Sequence, residues 1–233
     1  KKLVMAANEW PPFIGRSLPG QGFSVELVSQ VLKRAGYQVS MAFAPWRKVM
    51  KGMEKGKYDI SVAAWSNPER QKQFLFSSPY YHNQLVVISA TQKIDSIDAF
   101  QHALLVGNKN LGLMEDYAYD QLIPQGSTIS YHQHYGPLLR KLASNEVDMA
   151  LLDGDVARHI LHSMASLKAR LQVPTTTVHS RGLHMTMLKD HPAAKEVMVD
   201  FNRWLQVYLE SDDYQKLLEK YQLARYELNS NGN

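Results

Sequence analysis

The amino-acid sequence predicts an α/β protein made of two successive units of the same kind. Short apolar runs alternate with amphipathic helical patterns through the first part of the chain, and the alternation then repeats. The length of 233 residues suits one large domain or two small lobes. A hydrophobic fraction of 45%, with 13 Gly and 10 Pro, is ordinary for a globular chain and excludes disordered, collagen-like and coiled-coil proteins.

The first unit is predicted to contain strands that alternate with helices. Its predicted elements are strand 3–6, helix 24–36, strand 39–43, helix 46–55 and strand 59–64. Ser24 is the expected N-cap of the first helix, because its hydroxyl can accept a hydrogen bond from a backbone N–H, and Gly36 is expected to end it. The short connections indicate a mostly parallel sheet covered by helices.

The second unit is predicted to begin with a strand at residues 85–89. The elements expected after it are strand 103–106, helix 115–122, strand 129–131, a helix containing 138–143, strand 148–152 and helix 156–164. Strand 182–188 is predicted to return the chain to the first unit, where two more helices follow and residues 229–233 fray. The predicted division is therefore residues 1–86 and 184–233 for one lobe and residues 87–183 for the other.

Charge and cysteine content restrict the function classes. The 26 Lys and Arg outnumber the 22 Asp and Glu by four, and no long basic run is present, which argues against nucleic-acid binding. The absence of Cys excludes disulfides and cysteine-based zinc sites, and fits either the cytosol or a bacterial periplasm. No apolar stretch approaches the ~18 residues that span a bilayer. If the protein is exported, we expect its signal peptide to have been removed already.

Four sequence stretches occur in a distinctive order. They are 9–13 (EWPPF), 22–27 (GFSVEL), 67–81 (NPER followed by FSSPYY) and 147–153 (VDMALLD). Together they resemble the family 3 extracellular solute-binding proteins, which are periplasmic receptors of polar amino-acid ABC transporters. The resemblance covers essentially the whole chain. It implies the type II periplasmic-binding-protein fold, with two α/β lobes, hinge strands near 84–89 and 182–187, and a ligand cleft between the lobes.

The resemblance implies roles for two charged residues. Arg70 matches the family arginine that binds the ligand α-carboxylate, for which a guanidinium offers a planar fork of donors. Asp153 matches the family aspartate that binds the ligand ammonium group, and it follows a buried strand at the end where α/β clefts hold ligands. The alternatives are an exposed position in a turn for Arg70 and an N-cap role for Asp153, which Asp155 could fill as well.

Aromatic residues are the next candidates. Trp10 and Trp46 match family positions where rings enclose the ligand side chain, whereas core packing is the favoured interpretation of Phe13. Arg47 could also face the cleft, although a solvated position on its helix is favoured.

Two departures from the family pattern affect the expected ligand. The segment before Arg70 is one residue shorter than usual, so Ser66 or Trp65 is expected to occupy the position of a family hydroxyl. Leu113 and Met114 stand where the family carries Gly-Thr-Thr, so this part of the cleft wall is expected to be more apolar. Together with the indole rings, this predicts a ligand with an ammonium or guanidinium group and some apolar bulk, rather than a small dicarboxylate.

Metal and cofactor signals are weak. The histidine pairs 132/134 and 159/162 lack a third ligand at a suitable spacing, so packed or surface histidines are favoured. Residues 107–112 lack the Lys-Ser/Thr of a phosphate-binding loop. We therefore expect no metal and no cofactor. The expected partners are a small amino-acid-like ligand and a membrane ABC permease, with no nucleic acid, and the chain is expected to be a monomer.

The sequence thus predicts a periplasmic binding protein, and not an enzyme, that captures a small polar ligand by hinge closure for an ABC transporter. One alternative is a ligand-binding sensor domain of a membrane receptor, which would continue beyond residues 226–233 into a membrane helix. The other is a dehydratase acting on cyclic carboxylic acids, which would need a cleft acid or base. Glu9 is the one candidate near the predicted cleft for that role.

Overall fold

The computed structural model describes residues 1–119 and 122–224. Its helices and strands are, in chain order, β1 (Lys2–Ala7), α1 (Phe23–Arg34), β2 (Gln38–Phe43), α2 (Trp46–Glu54), β3 (Ile60–Trp65), α3 (Pro68–Gln73), β4 (Phe74–Phe76), β5 (Tyr81–Ile88), α4 (Ile97–Val106), β6 (Asn110–Met114), β7 (Thr128–His132), α5 (Tyr135–Ala143), β8 (Met149–Asp153), α6 (Gly154–His162), α7 (Ala165–Lys168), β9 (His179–Leu188), α8 (Ala194–Leu209) and α9 (Asp212–Lys220). The tail predicted to fray, 229–233, lies outside the described residues.

The chain divides into two compact units. Unit 1 comprises Lys1–His82 and Gly182–Asn233, and unit 2 comprises Asn83–Arg181. The chain leaves unit 1 inside β5 and returns to it inside β9. The sequence placed these crossings after residues 86 and 183, whereas the structure places them after residues 82 and 181.

Unit 1 contains a mixed sheet covered by helices. β1 lies between β2 and β3 and runs parallel to both, whereas β9 is antiparallel to β3 and to β4. All six residues of β3 are buried, as expected for an interior strand whose sequence is apolar except for Ser61. The predicted strands and helices are confirmed in this unit, although α3 and β4 were not predicted.

The loop that contains Trp10 and Phe13, called the Trp10 loop, lies against the start of α1. This contact explains why the motifs at 9–13 and 22–27 occur together. The N-cap of α1 is Gly22, so the expectation for Ser24, a buried residue inside the helix, is wrong. Gly22 has φ of 102°, and a Cβ atom there would lie 2.5 Å from the carbonyl oxygen of Phe13. The backbone N–H of Ser24 donates to that same oxygen at 2.9 Å. Glycine is therefore required for the Trp10 loop to approach α1.

Unit 2 contains a sheet in the order β5-β8-β6-β7. β6 runs parallel to β7 and to β8, whereas β5 is antiparallel to β8. The C-terminal ends of these three parallel strands, Met114, His132 and Asp153, therefore lie at one edge of the sheet. In α/β sheets this edge is where ligands bind.

Two predictions in unit 2 are wrong. Residues 103–106 belong to helix α4, whose N-cap Ser96 accepts a hydrogen bond from the backbone N of Ala99 at 3.1 Å. The helix buries Phe100 and Leu104, a spacing of four residues, and the strand expected at 103–106 is instead β6. The predicted helix 115–122 is not present at 115–119, which form a turn and irregular structure, and residues 120 and 121 lie outside the described residues.

Burial lowers the pKa of several histidines in the two units. They are His82, His132, His159, His179 and His184. Their folded-state pKa values lie below the ordinary value of about 6.5, so the unfolded chain binds more protons as the pH falls below that value. The stability contributed by the neutral rings is present above pH 6.5 and is lost as the pH falls through the folded-state values.

We therefore expect protonation of these histidines to lower the melting temperature between pH 7 and pH 5, which is measured by comparing histidine variants with the unmodified chain by circular dichroism. His184 is a sensitive single test, because burial lowers the pKa of its ring, which meets Phe76 edge to face at 5.7 Å. The contact of its Nδ1 with the carbonyl oxygen of Ser77, at 2.7 Å, acts in the opposite direction and raises the pKa. Relative to the unmodified chain, His184→Gln should lose less stability between pH 7 and pH 5, and His134→Gln, at an exposed position, is the control. The same slope in His184→Gln and the unmodified chain would contradict the assignment.

Within the described ranges, none of the helices combines the length and the apolar character needed to cross a membrane.

Candidate functional site

In unit 1, Arg70 lies in the short helix α3 directly after β3. The sequence Asn-Pro-Glu-Arg starts this helix well, because Asn67 caps it, Pro68 follows the cap and Glu69 adds an acidic charge to the first turn. The cap bond joins the Asn67 Oδ1 to the backbone N of Arg70 at 2.8 Å. Arg70 is half-buried, so the alternative of an exposed position in a turn is wrong.

The guanidinium of Arg70 is held on two sides. Its Nη1 donates a hydrogen bond to the backbone carbonyl oxygen of Trp65 at 2.9 Å. Its Cζ lies 5.1 Å from the centroid of the Trp46 ring, in the range of a cation–π contact. Trp46 is the first residue of α2 and is half-buried. One function of this ring is thus to orient Arg70, and its contact with a ligand stays a prediction.

The other aromatic candidates in unit 1 form a connected cluster. The Trp65 ring is 4% exposed and meets the Trp10 ring edge to face, with 6.0 Å between centroids. Trp10 is half-buried and packs on Phe13 at 4.8 Å. Phe13 is fully buried, which confirms its predicted core position. Trp65 therefore contributes its carbonyl oxygen to the setting of Arg70, while its ring is part of the core.

Three polar residues near this cluster were considered from the sequence. Ser66 is half-buried, and its Oγ accepts a hydrogen bond from Gln71 Nε2 at 2.7 Å. Arg47 is exposed on α2, in agreement with the favoured interpretation. Glu9 is exposed, and its carboxylate forms an ion pair with Arg16 at 3.4 Å. Whether Ser66 replaces the family hydroxyl is still a prediction.

In unit 2, Asp153 is the last residue of β8 and the N-cap of α6. Its Oδ1 accepts a hydrogen bond from the backbone N of Val156 at 2.9 Å. The capping alternative therefore holds for Asp153, and Asp155 instead pairs with Arg158 at 2.9 Å. A carboxylate has two oxygens, so capping through Oδ1 is compatible with a second partner on Oδ2.

The Asp153 carboxyl group is an unusual acid. It is fully buried, and this burial, followed by the negative charge of Asp155, raises its pKa to about 8. Hydrogen bonds from the backbone of Val156 and Asp155 and from the side chain of Asn83 act in the opposite direction. A cation placed beside this carboxyl group would favour its ionised form.

Three tyrosines, which the sequence reasoning missed, lie at the same edge of the unit 2 sheet. Tyr117 and Tyr119 follow β6, and Tyr135 opens α5 directly after β7. The Tyr117 and Tyr135 hydroxyl oxygens are 2.7 Å apart. The available signal was Tyr-Ala-Tyr at 117–119, which was instead assigned to a helix. We call these three residues the tyrosine cluster.

Leu113 and Met114 are buried in β6. Leu113 is 1% exposed and lies opposite Tyr131 in the β6–β7 pairing, and Met114 is 5% exposed. Their predicted place in a ligand-contacting wall has no direct test in this arrangement and stays a prediction.

The predicted absence of a metal site is also untested. Among residues 1–119 and 122–224, no three histidine or acidic side chains are grouped in a way that could hold a metal ion. His132 Nε2 lies 3.1 Å from Ser130 Oγ, an ordinary hydrogen bond.

Comparison with known proteins identifies the family. Residues 3–224 match the bacterial extracellular solute-binding proteins, family 3. The chain belongs to this family. The match extends over nearly the whole sequence and includes all four motifs, so the resemblance inferred from those motifs is confirmed.

Individual relatives of this family 3 protein are similar at low sequence identity. The arginine-binding extracellular protein ArtP of Bacillus subtilis (strain 168) is 24% identical over 226 residues, which are 95% of this chain and 86% of ArtP. The ABC transporter arginine-binding protein 1 of Escherichia coli (strain K12) is 25% identical over 218 residues, which are 91% of this chain and 86% of that protein.

Solved structures agree on the fold. The amino acid ABC transporter substrate-binding protein AbpA from Streptococcus pneumoniae, bound to L-arginine, superposes with a TM-score of 0.74 at 22% identity. The match covers 95% of this chain and 94% of AbpA. The predicted α/β fold of periplasmic amino-acid-binding proteins is thereby confirmed.

Proposed function

We propose that this family 3 protein captures a cationic amino acid outside the cytoplasmic membrane and delivers it to the permease of an ABC transporter. Arg70 takes the α-carboxylate, Asp153 takes the α-ammonium group, and Trp10 and Trp46 contact the side chain. The observation that carries the proposal is the prepared guanidinium of Arg70, held by Trp65 and Trp46.

The setting of Arg70 supports carboxylate binding. A guanidinium that is already oriented loses little conformational freedom when a carboxylate binds, so more of the interaction free energy appears as affinity. Its planar fork can donate two parallel hydrogen bonds to the two carboxylate oxygens. The bond from Nη1 to the Trp65 carbonyl oxygen fixes the plane in which these donors lie.

The burial of Asp153 supports the choice of a cation. Ionising a fully buried carboxyl group costs free energy, and a neighbouring ammonium offsets this cost by direct pairing. An anionic group at the same place would raise the cost further. A zwitterion with an extra positive charge on its side chain therefore suits the two charged groups and the aromatic rings better than a dicarboxylate does.

Arginine is a suitable first probe. Both relatives described above are named as arginine-binding proteins, and AbpA was solved with L-arginine. Transport of basic amino acids follows as the proposed role, with the permease as the proposed membrane partner and the chain acting as a monomer.

Binding without catalysis is part of the proposal. Glu9, the candidate acid from the sequence, is exposed and forms an ion pair with Arg16. The relatives described above are likewise named as binding proteins.

A thermal-shift series tests the proposal. We expect L-arginine and L-lysine to raise the melting temperature, because a ligand at 100 times its Kd stabilises the folded state by about 2.7 kcal/mol. L-glutamine, as a neutral control of similar size, should give a smaller shift, and L-glutamate should give none. The largest shift with L-glutamate, or no shift with any of the four, would contradict the proposal.

A further inference from the structure

The segment that follows β6 is tied to the end of the unit 2 sheet by Tyr119. Its hydroxyl accepts a hydrogen bond from the backbone N of Met114 at 3.1 Å and donates one to the carbonyl oxygen of Leu151 at 3.3 Å. Leu151 precedes Asp153 by two residues on β8, so one hydroxyl fixes residues 115–119 beside the strand end that carries Asp153.

Tyr117 is the most accessible member of the tyrosine cluster. Its ring stacks on the Tyr119 ring at 5.8 Å with 27° between the planes, and its hydroxyl lies 2.7 Å from that of Tyr135. Tyr119 and Tyr135 are buried, at 6% and 8% exposure, whereas Tyr117 is half-buried. Packing on one side and a hydroxyl contact at the tip hold the Tyr117 ring in one orientation.

The carboxyl group of Asp153 lies within electrostatic range of this ring. Burial raises the pKa of Tyr117 well above its usual value, neighbouring tyrosines raise it further, and the negative charge of Asp153 adds to the effect. The same charge acts on Tyr119, again after burial and Tyr135. Tyr117 therefore stays a neutral phenol at physiological pH, with an electron-rich ring and a hydroxyl oxygen that can accept a hydrogen bond.

We propose that Tyr117 is a specificity-determining residue that contacts the ligand α-ammonium group together with Asp153. The ring face attracts a cation through its quadrupole, and the phenolic oxygen can accept a hydrogen bond from an N–H donor. Asp153 supplies the negative charge. Tyr117 supplies a neutral partner that distinguishes a ligand with an α-ammonium group from a ligand with only hydrogen at the α-carbon. The inference rests on the proposed function, because it requires an α-amino-acid ligand.

A matched pair of ligands isolates this contact. L-arginine and 5-guanidinopentanoate share the carboxylate, the chain length and the guanidinium, and differ only in the α-amino group. In calorimetry on the full chain, Tyr117→Leu should bind L-arginine about tenfold more weakly than the unmodified chain does. Its affinity for 5-guanidinopentanoate should stay within about threefold of the affinity of the unmodified chain.

Two further variants act as controls. Tyr131→Leu removes a ring that is 60% exposed on β7, and it should leave both affinities unchanged. Tyr117→Phe keeps the ring and loses the hydroxyl, so it should weaken L-arginine binding less than Tyr117→Leu does. Tyr117→Phe also provides the test if the leucine variant does not fold, in which case a reduced preference for L-arginine over 5-guanidinopentanoate is expected.

The outcomes separate the two proposals. If the unmodified chain prefers L-arginine and both Tyr117 variants keep the full preference, or lose both ligands equally, the assignment of Tyr117 is wrong while the proposed function stands. If the unmodified chain binds the two ligands equally or binds neither, the α-ammonium contact does not exist, and the roles of both Asp153 and Tyr117 are overturned.

Discussion

Replacing Arg70 by alanine is expected to weaken L-arginine binding by about 2–5 kcal/mol, because the ligand carboxylate loses its charged partner. This range corresponds to a roughly 30- to 5,000-fold higher Kd. The fold should survive, because Asn67 caps α3 through the backbone N of Arg70, which alanine retains. Calorimetry measures the loss, and thermal unfolding without ligand checks the fold.

Arg203→Ala is the matched control for this experiment. Arg203 also lies over an indole ring, with its Cζ 5.9 Å from the Trp204 centroid, and it pairs with Asp200 at 3.3 Å. Its side chain is 68% exposed and lies on α8, whereas Arg70 lies on α3. The control should bind L-arginine like the unmodified chain. Equal affinities of Arg70→Ala and Arg203→Ala would exclude Arg70 from carboxylate binding.

Replacing Asp153 by asparagine is expected to weaken L-arginine binding by about 1.5–3 kcal/mol, the usual range for a hydrogen bond to a charged group. Asparagine is as good an N-cap as aspartate, so α6 should stay capped and the variant should fold. Asp148→Asn is the control, because Asp148 directly precedes β8 and accepts a hydrogen bond from the backbone N of Asn110 at 2.8 Å. The control should keep full affinity.

The raised pKa of Asp153 gives this prediction a second readout. Because that pKa is about 8, most Asp153 carboxyl groups are protonated at pH 7, and a bound cation should expel the proton. Calorimetry at pH 7 in buffers with different ionisation heats should show proton release for the unmodified chain and none for Asp153→Asn. Proton uptake, or equal release by both proteins, would contradict the pairing of Asp153 with the ligand ammonium.

The same pKa has a consequence for the ligand-free protein. The folded-state pKa lies above the unfolded value of about 3.9, so the stability linked to Asp153 is complete below that value. It is lost as the pH rises through about 8. Asp153→Asn should lack this loss, and its melting temperature relative to the unmodified chain should therefore increase from pH 5 to pH 8.

Local patterns predicted most of the fold, and long-range contacts explain where the predictions were wrong. The apolar run of β3 and the amphipathic spacing of α8 identify those elements directly. Residues 103–106 form a short apolar run that suits a strand or a helix equally, and only the Ser96 cap and the burial of Phe100 decide for a helix.

The same contrast between local sequence patterns and long-range contacts applies to the candidate site. Arg70 and Asp153 were identified from the family resemblance of their motifs, and in the structure each motif leads from a strand into a helix. The contact of Arg70 with Trp46 joins residues 24 positions apart, and the tyrosine cluster depends on how segments after two different strands pack. Such contacts depend on the tertiary structure and leave no periodic signal in the sequence.

The way the chain divides between its units determines the order in which they can form during synthesis. Unit 2 is one uninterrupted segment, Asn83–Arg181, and its residues are all available once residue 181 has left the ribosome. The sheet of unit 1 is completed later, because β3 and β4 can pair with their antiparallel partner β9 only after β9 has been synthesised. A nascent chain can thus complete the segment that bears Asp153 and the tyrosine cluster while the sheet next to Arg70 is still unfinished.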